Sequence, residues 1–232
     1  MFGLFAIGIV FMLLSLWVGS RLKSKMAQYS QTQLAKNLSG AEVARLMLAD
    51  HGITDVKVVS VEGQLTDHYN PQEKTVNLSP EVYHGVNAAA TAVASHECGH
   101  AVQHATAYSM LGLRSAMVPI QAVSGRVQNF LMIALIFGGF ALQGFLPTAI
   151  ILIVACNVVF TLFALITLPV EFDASNRALA WVEKRGIVNR QEHDMAKDAL
   201  NWAARTYVVA ALGAIASLLY WVMLLMGGRG DD

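Results

Sequence analysis

Charge is what this sequence has least of. Only 14% of its 232 residues are charged and 55% are hydrophobic, which excludes an ordinary soluble globule, where about a quarter of residues carry charge. The formal net charge is zero and no run of Lys and Arg is dense enough to follow a phosphate backbone, so nucleic acid is excluded as a partner. Cysteine is nearly absent: Cys98 and Cys156 stand in unrelated contexts, which argues against a disulfide framework and fits a reducing compartment. No repeat or low-complexity segment is visible. The first apolar run is followed, not preceded, by its positive charges (Arg21, Lys23, Lys25), and no small-x-small cleavage site is evident, so it reads as a retained anchor and not a signal peptide.

Long apolar stretches are what the sequence has instead. A bilayer core of about 30 Å needs roughly 20 apolar residues in a helix, and windows 2–19, 130–146, 148–168 and 208–226 come close to or meet that length. With the amino terminus outside, segments 20–129 and 169–207 both fall inside and hold 15 of the 16 Lys and Arg, leaving Arg229 outside. The expected layout is an N-terminal anchor (1–20), a cytoplasmic part with short strands and a motif helix (21–129), a transmembrane hairpin (130–168), further cytoplasmic helices (169–207) and a C-terminal transmembrane helix (208–226). It describes a mainly α, multi-pass membrane protein.

Between the spans the pattern changes. Ser39 and Gly52 bracket an amphipathic helix as N-cap and stop. Apolar residues at 56, 58, 59 and 61, an Asn-Pro turn at 70 and 71, and the returning Thr75-Val76-Asn77-Leu78 predict two or three short strands. From Pro80 to Ala107 the alanine-rich sequence predicts helix, with Asn87 capping the part that carries the motif. Pro119 and Pro169 are each expected to open a helix, the second closing at Gly186.

The chemistry concentrates in SHECGHAVQH, residues 95–104. His96 and His100 are four apart, so on a helix both imidazoles project from one face and can share one ion. Glu97 lies about 100° round the helix, where it can reach a metal-bound water as general base without occupying the metal. A catalytic zinc needs a third protein ligand and an open position. Glu171, just past the third span in LPVEFDASNRAL, is the most suggestive candidate, although an acid there also suits a helix N-terminus. His104 is the rival; three histidines on successive turns spread over about 12 Å, too far to share an ion, so it reads better as a wall residue. For stabilising an oxyanion, Arg177, Tyr108 and His193 have suitable chemistry and none is singled out by spacing.

HECGHAVQH, the upstream QLTDHYNPQEKTVNLSPEVYHG and the downstream LPVEFDASNRAL together resemble the YugP-type neutral zinc metallopeptidases of bacterial membranes, over roughly residues 20–210. More distantly the layout is similar to the HtpX and CAAX-protease group of membrane gluzincins, whose third ligand is the Glu of a Glu-x-x-x-Asp helix. The resemblance implies a zincin-like α+β catalytic portion on the cytoplasmic side, one Zn2+, His96, His100 and Glu171 as its ligands, and Glu97 as base. Ser175 stands where that group has its Asp, with Asp173 in between, and its hydroxyl could orient a histidine as the weaker acceptor. It also implies an edge strand that holds substrate in extended form, for which Val76, Asn77 and Leu78 are the candidates. The expected function is metalloendopeptidase action on peptides or membrane proteins at the bilayer surface, in quality control or processing. A membrane adaptor and a second copy of the chain stay open as partners. No span contains an acidic residue, which disfavours cleavage within the bilayer. The alternative is a non-catalytic membrane scaffold that keeps the fold to bind a partner, against which the intact Glu97 argues.

Overall fold

A computed structural model describes residues 2–138 and 144–227. Residues 139–143 of the second expected span, and Arg229 with its expected external position, lie outside the described residues. The elements in chain order are α1 (Phe2–Tyr29), α2 (Gly40–Asp50), β1 (Lys57–Ser60), β2 (His68–Asn70), β3 (Thr75–Leu78), α3 (Pro80–Tyr83), α4 (Ala88–Ala105), α5 (Ser109–Gly138), α6 (Leu146–Lys184) and α7 (Arg190–Gly227). Four of them, α1, α5, α6 and α7, are long and apolar enough to cross a membrane.

Two proline readings are corrected. Pro119 and Pro169 lie inside α5 and α6 and do not begin them. Proline removes one N–H from the helix ladder, but that loss is local. At Pro169 the next residues, Val170 and Ala174, are fully buried, and their packing carries the helix through.

The residue contacts group into two compact units. One comprises Met1–Leu16, Leu113–Leu168 and Tyr207–Asp232. Its described surface is apolar: Phe130, Phe137, Ile133, Leu219 and Met223 are all more than half exposed, as suits side chains whose solvent is lipid. Inside, Leu131, Ala149, Ile153 and Trp221 form a small core. Beside it a buried amide links three helices. Asn157 Nδ2 donates to Gln128 Oε1 (3.1 Å), Ser217 Oγ donates to Asn157 Oδ1 (2.9 Å), and Thr161 Oγ1 donates to the Asn157 and Ala214 carbonyls. Such bonds satisfy polar groups that lipid could not.

The other unit comprises Trp17–Gly112 and Pro169–Thr206 and carries the motif. α2 begins with a full capping box, Ser39 and Glu42 each bonding the other's backbone, and stops at Gly52 with φ +70°. Its apolar stripe, Val43, Met47 and Leu48, packs with Leu78, Cys98, Val102 and Val182 in the main core. Cys98 is fully buried with its thiol against the Ala44 carbonyl, and burial pushes that thiol far up. Cys156 is also a free thiol.

The sheet has the order β1-β3-β2, with β1 parallel and β2 antiparallel to β3. This corrects the expected substrate edge: Val76, Asn77 and Leu78 lie buried in the central strand, Val76 and Asn77 paired on both sides and Leu78 with Ser60 of β1, so β3 is not an edge strand. The sequence alternation marks Val76 and Leu78 as inward-facing but carries no information on strand order. β1 and β2 are the edges.

Candidate metal centre

α4 carries the motif as a regular helix because Asn87 caps it, accepting from the Ala90 N–H at 2.8 Å, and because an alanine-rich first half gives strong helix propensity. Gly99 sets how near α6 can come. A Cβ on Gly99 would lie 2.5 Å from the Ala174 carbonyl oxygen, so only glycine permits this approach. Ala174 is three residues after Glu171, and the contact therefore brings that carboxylate to the two histidines.

His96 Nε2 and His100 Nε2 lie 3.4 and 3.5 Å from Glu171 Oε2, and three ligand atoms from these residues lie within 4.8 Å of one another. A tetrahedron with arms of about 2.05 Å has edges of about 3.3 Å, so both measured edges suit a zinc ion. The electrostatics agree. Burial acts to lower the His100 imidazole, yet the Glu171 bond and the charges of Glu97 and Glu171 hold it above its ordinary value. A buried cluster whose carboxylates favour a protonated imidazole has a place for positive charge, which a divalent cation would supply. Two imidazoles and a carboxylate also match the N and O donors zinc takes.

The outer ring nitrogens are held as well. Ser175 Oγ lies 3.0 Å from His96 Nδ1, and Gln103 Oε1 lies 3.0 Å from His100 Nδ1. With the ring protons on Nδ1, both acceptors leave the Nε2 lone pairs facing the shared point. Gln103 is fully buried and its amide donates to the Val170 carbonyl (2.7 Å) and to Asp173 Oδ2 (2.8 Å). Asp173 in turn accepts from Arg177 Nε at 2.6 Å, and the Arg177 guanidinium lies 5.8 Å from the Tyr108 ring centroid. Gln103 was missed in the sequence reading. Its signal was its i+3 position from His100, on the same face.

None of the remaining candidates supplies an atom to the ligand cluster. His104 is exposed, with Nδ1 2.8 Å from the Tyr69 hydroxyl of β2. His193 Nε2 is 4.0 Å from Glu183 Oε2. Glu97 is nine-tenths buried and supplies no atom to the ligand group.

Residues 4–226 match a protein family described as "Putative neutral zinc metallopeptidase". The chain is 39% identical over 219 residues, 94% of its length and 95% of the relative's, to a Bacillus subtilis (strain 168) protein named "Putative membrane protease YugP". No solved structure matches. A family match over nearly the whole chain coincides with a ligand cluster of suitable geometry and with four helices fit to span a bilayer, and the chain belongs to this neutral zinc metallopeptidase family.

Proposed function

We propose that this protein is a membrane zinc endopeptidase that cleaves membrane proteins or peptides at the cytoplasmic face of a bacterial-type plasma membrane. The observation that carries this reading is the convergence of His96, His100 and Glu171, with both histidines braced from behind. These three residues would hold the ion. When bound, zinc polarises a carbonyl and lowers the pKa of a water to about 7.

The chain's own residues do the rest. Ser175 and Gln103 fix the tautomer and aim of the two imidazoles. Glu97, next to His96 but turned about 100° round α4, stays off the ligand set and takes the proton of the attacking water. The outer edge of β2 holds the substrate backbone in extended form; its support is that β2 is an edge strand tied to α4 through Tyr69 and His104.

Placement follows from sequence. Glu171 comes three residues after the 148–168 stretch, so a metal bound there belongs near the headgroups. Since 15 of the 16 Lys and Arg fall in segments 20–129 and 169–207, that surface is assigned to the cytoplasm and the amino terminus to the outside. Membrane-protein quality control or processing suits such a site. Zinc content and casein hydrolysis by purified wild type and Glu97→Gln test the proposal. Expected is stoichiometric zinc in both and activity only in wild type; equal activity would sink the mechanism, and zinc without activity in either would favour the scaffold.

A further inference from the structure

A cavity of about 340 Å3 lies in the same unit as the ligand cluster, on the amino-terminal half of α4. Its floor is Ala89, Ala90 and Val93. Val93 precedes His96 by three residues and Glu97 by four, so it lies on the same helix face, about one turn away. One wall is the segment leading into β2, the edge strand assigned above to substrate, and includes Leu65 and Asp67. Leu65 takes φ +57°, a conformation leucine rarely adopts, and its side chain stays 54% exposed at this cavity instead of joining the core.

The lining combines an apolar shaft with an acidic end. Met26, Leu65, Val82 and Val93 supply alkyl surface, while Asp67 and Glu81 supply two carboxylates against the single cation of Lys23. Asp67 accepts from the Ser79 N–H (2.7 Å) and hydroxyl (3.1 Å), and Glu81 accepts from Gln64 Nε2 (3.1 Å). Among the described residues neither acid has an ion-pair partner. Burial holds the Asp67 carboxyl above its ordinary value despite the bonds from Ser79. A cation delivered on an alkyl chain would relieve that desolvation.

We propose that this cavity is a specificity pocket that receives a lysine or arginine side chain of the substrate, close to the scissile bond. The assignment rests on the peptidase reading, and the test separates the two. Full-length, zinc-loaded Glu97→Gln protein in detergent is titrated with fluorescent peptides identical except for one Lys, Arg, Leu or Glu, scanned through successive positions. At one position the Lys and Arg peptides are expected to bind at least about tenfold tighter than the Leu peptide, the scale of one charge-assisted hydrogen bond, and the Glu peptide weakest. Adding Glu81→Lys should erase that ratio, as should Val93→Trp, which fills the cavity; zinc retention checks that each variant is folded. A Leu peptide that binds as tightly as Lys, a ratio untouched by both variants, or no binding by any peptide overturns the pocket. Wild-type cleavage of the same peptides is the second arm. Cleavage without basic preference leaves the peptidase standing and removes the pocket, whereas basic preference in binding without cleavage does the reverse.

Discussion

Replacing Gly99 by alanine should cost the protein its metal before its fold. The added Cβ would meet the Ala174 carbonyl oxygen at 2.5 Å, roughly 0.8 Å short of the about 3.3 Å at which a carbon and a carbonyl oxygen normally touch. Both partners are backbone on packed helices, so no side chain can swing aside and the helices must part by most of that shortfall. Glu171 lies one turn before Ala174 on α6 and would retreat with it, while zinc ligand distances tolerate only about 0.2 Å. Overpacking of this kind costs about 1–3 kcal/mol of stability, which a well-packed unit can survive. The expected result for Gly99→Ala is a folded protein whose zinc is removed by at least about tenfold less chelator than the wild type needs. Gly112→Ala is the control, since a Cβ there would meet nothing within 4 Å. Zinc content after dialysis against graded chelator is the readout. Wild-type retention by Gly99→Ala would refute the claim that this one contact sets the position of Glu171.

Removing the brace behind His100 should matter more than removing the one behind His96. Gln103→Leu strands the His100 ring nitrogen and takes a donor from the Val170 carbonyl and from Asp173, and zinc affinity should fall about 10–100-fold, whereas Ser175→Ala removes one bond and should fall less; the reverse order in chelator competition would count against the bracing roles. Asn157→Leu should lower stability by about 0.6–1.7 kcal/mol in a detergent unfolding assay and leave zinc content unchanged. Asp67→Asn should stabilise the protein at neutral pH. Because the folded-state pKa is raised, ionising Asp67 weakens the fold as pH rises through that value; the advantage of the variant should therefore vanish below the ordinary carboxylate value of 3.8, and a pH-independent difference in melting would contradict it.

Features with a local cause were legible in the sequence. Capping chemistry marked Ser39 and Asn87, and both act as N-caps. The i, i+4 spacing of His96 and His100 was enough to put them on one face. What stayed hidden depends on contacts far apart in the chain. The central place of β3 needed strand order, which alternation does not encode. Pro119 and Pro169 were read from a local preference, and both lie inside longer helices; at Pro169 the packing of Val170 and Ala174 overrides it. Glu171 was suggestive on its position after an apolar stretch, but its approach to the histidines depends on Gly99, whose importance becomes visible only when α6 lies against it. Gln103 was passed over because its i+3 spacing from His100 places it on the ligand face without showing that its amide is buried and reaches α6.

Cys98 gives the protein an internal gauge of its own integrity. It stands within the His-Glu-x-x-His sequence, yet its sulfur is fully buried against the Ala44 carbonyl, where neither a thiolate nor an alkylating reagent is accommodated. Modification therefore has to wait for the motif helix to loosen from its neighbours. The rate at which a thiol probe labels Cys98 then measures how often the structure around the ligand set opens, and a variant that loses metal without faster labelling has lost coordination and kept its core.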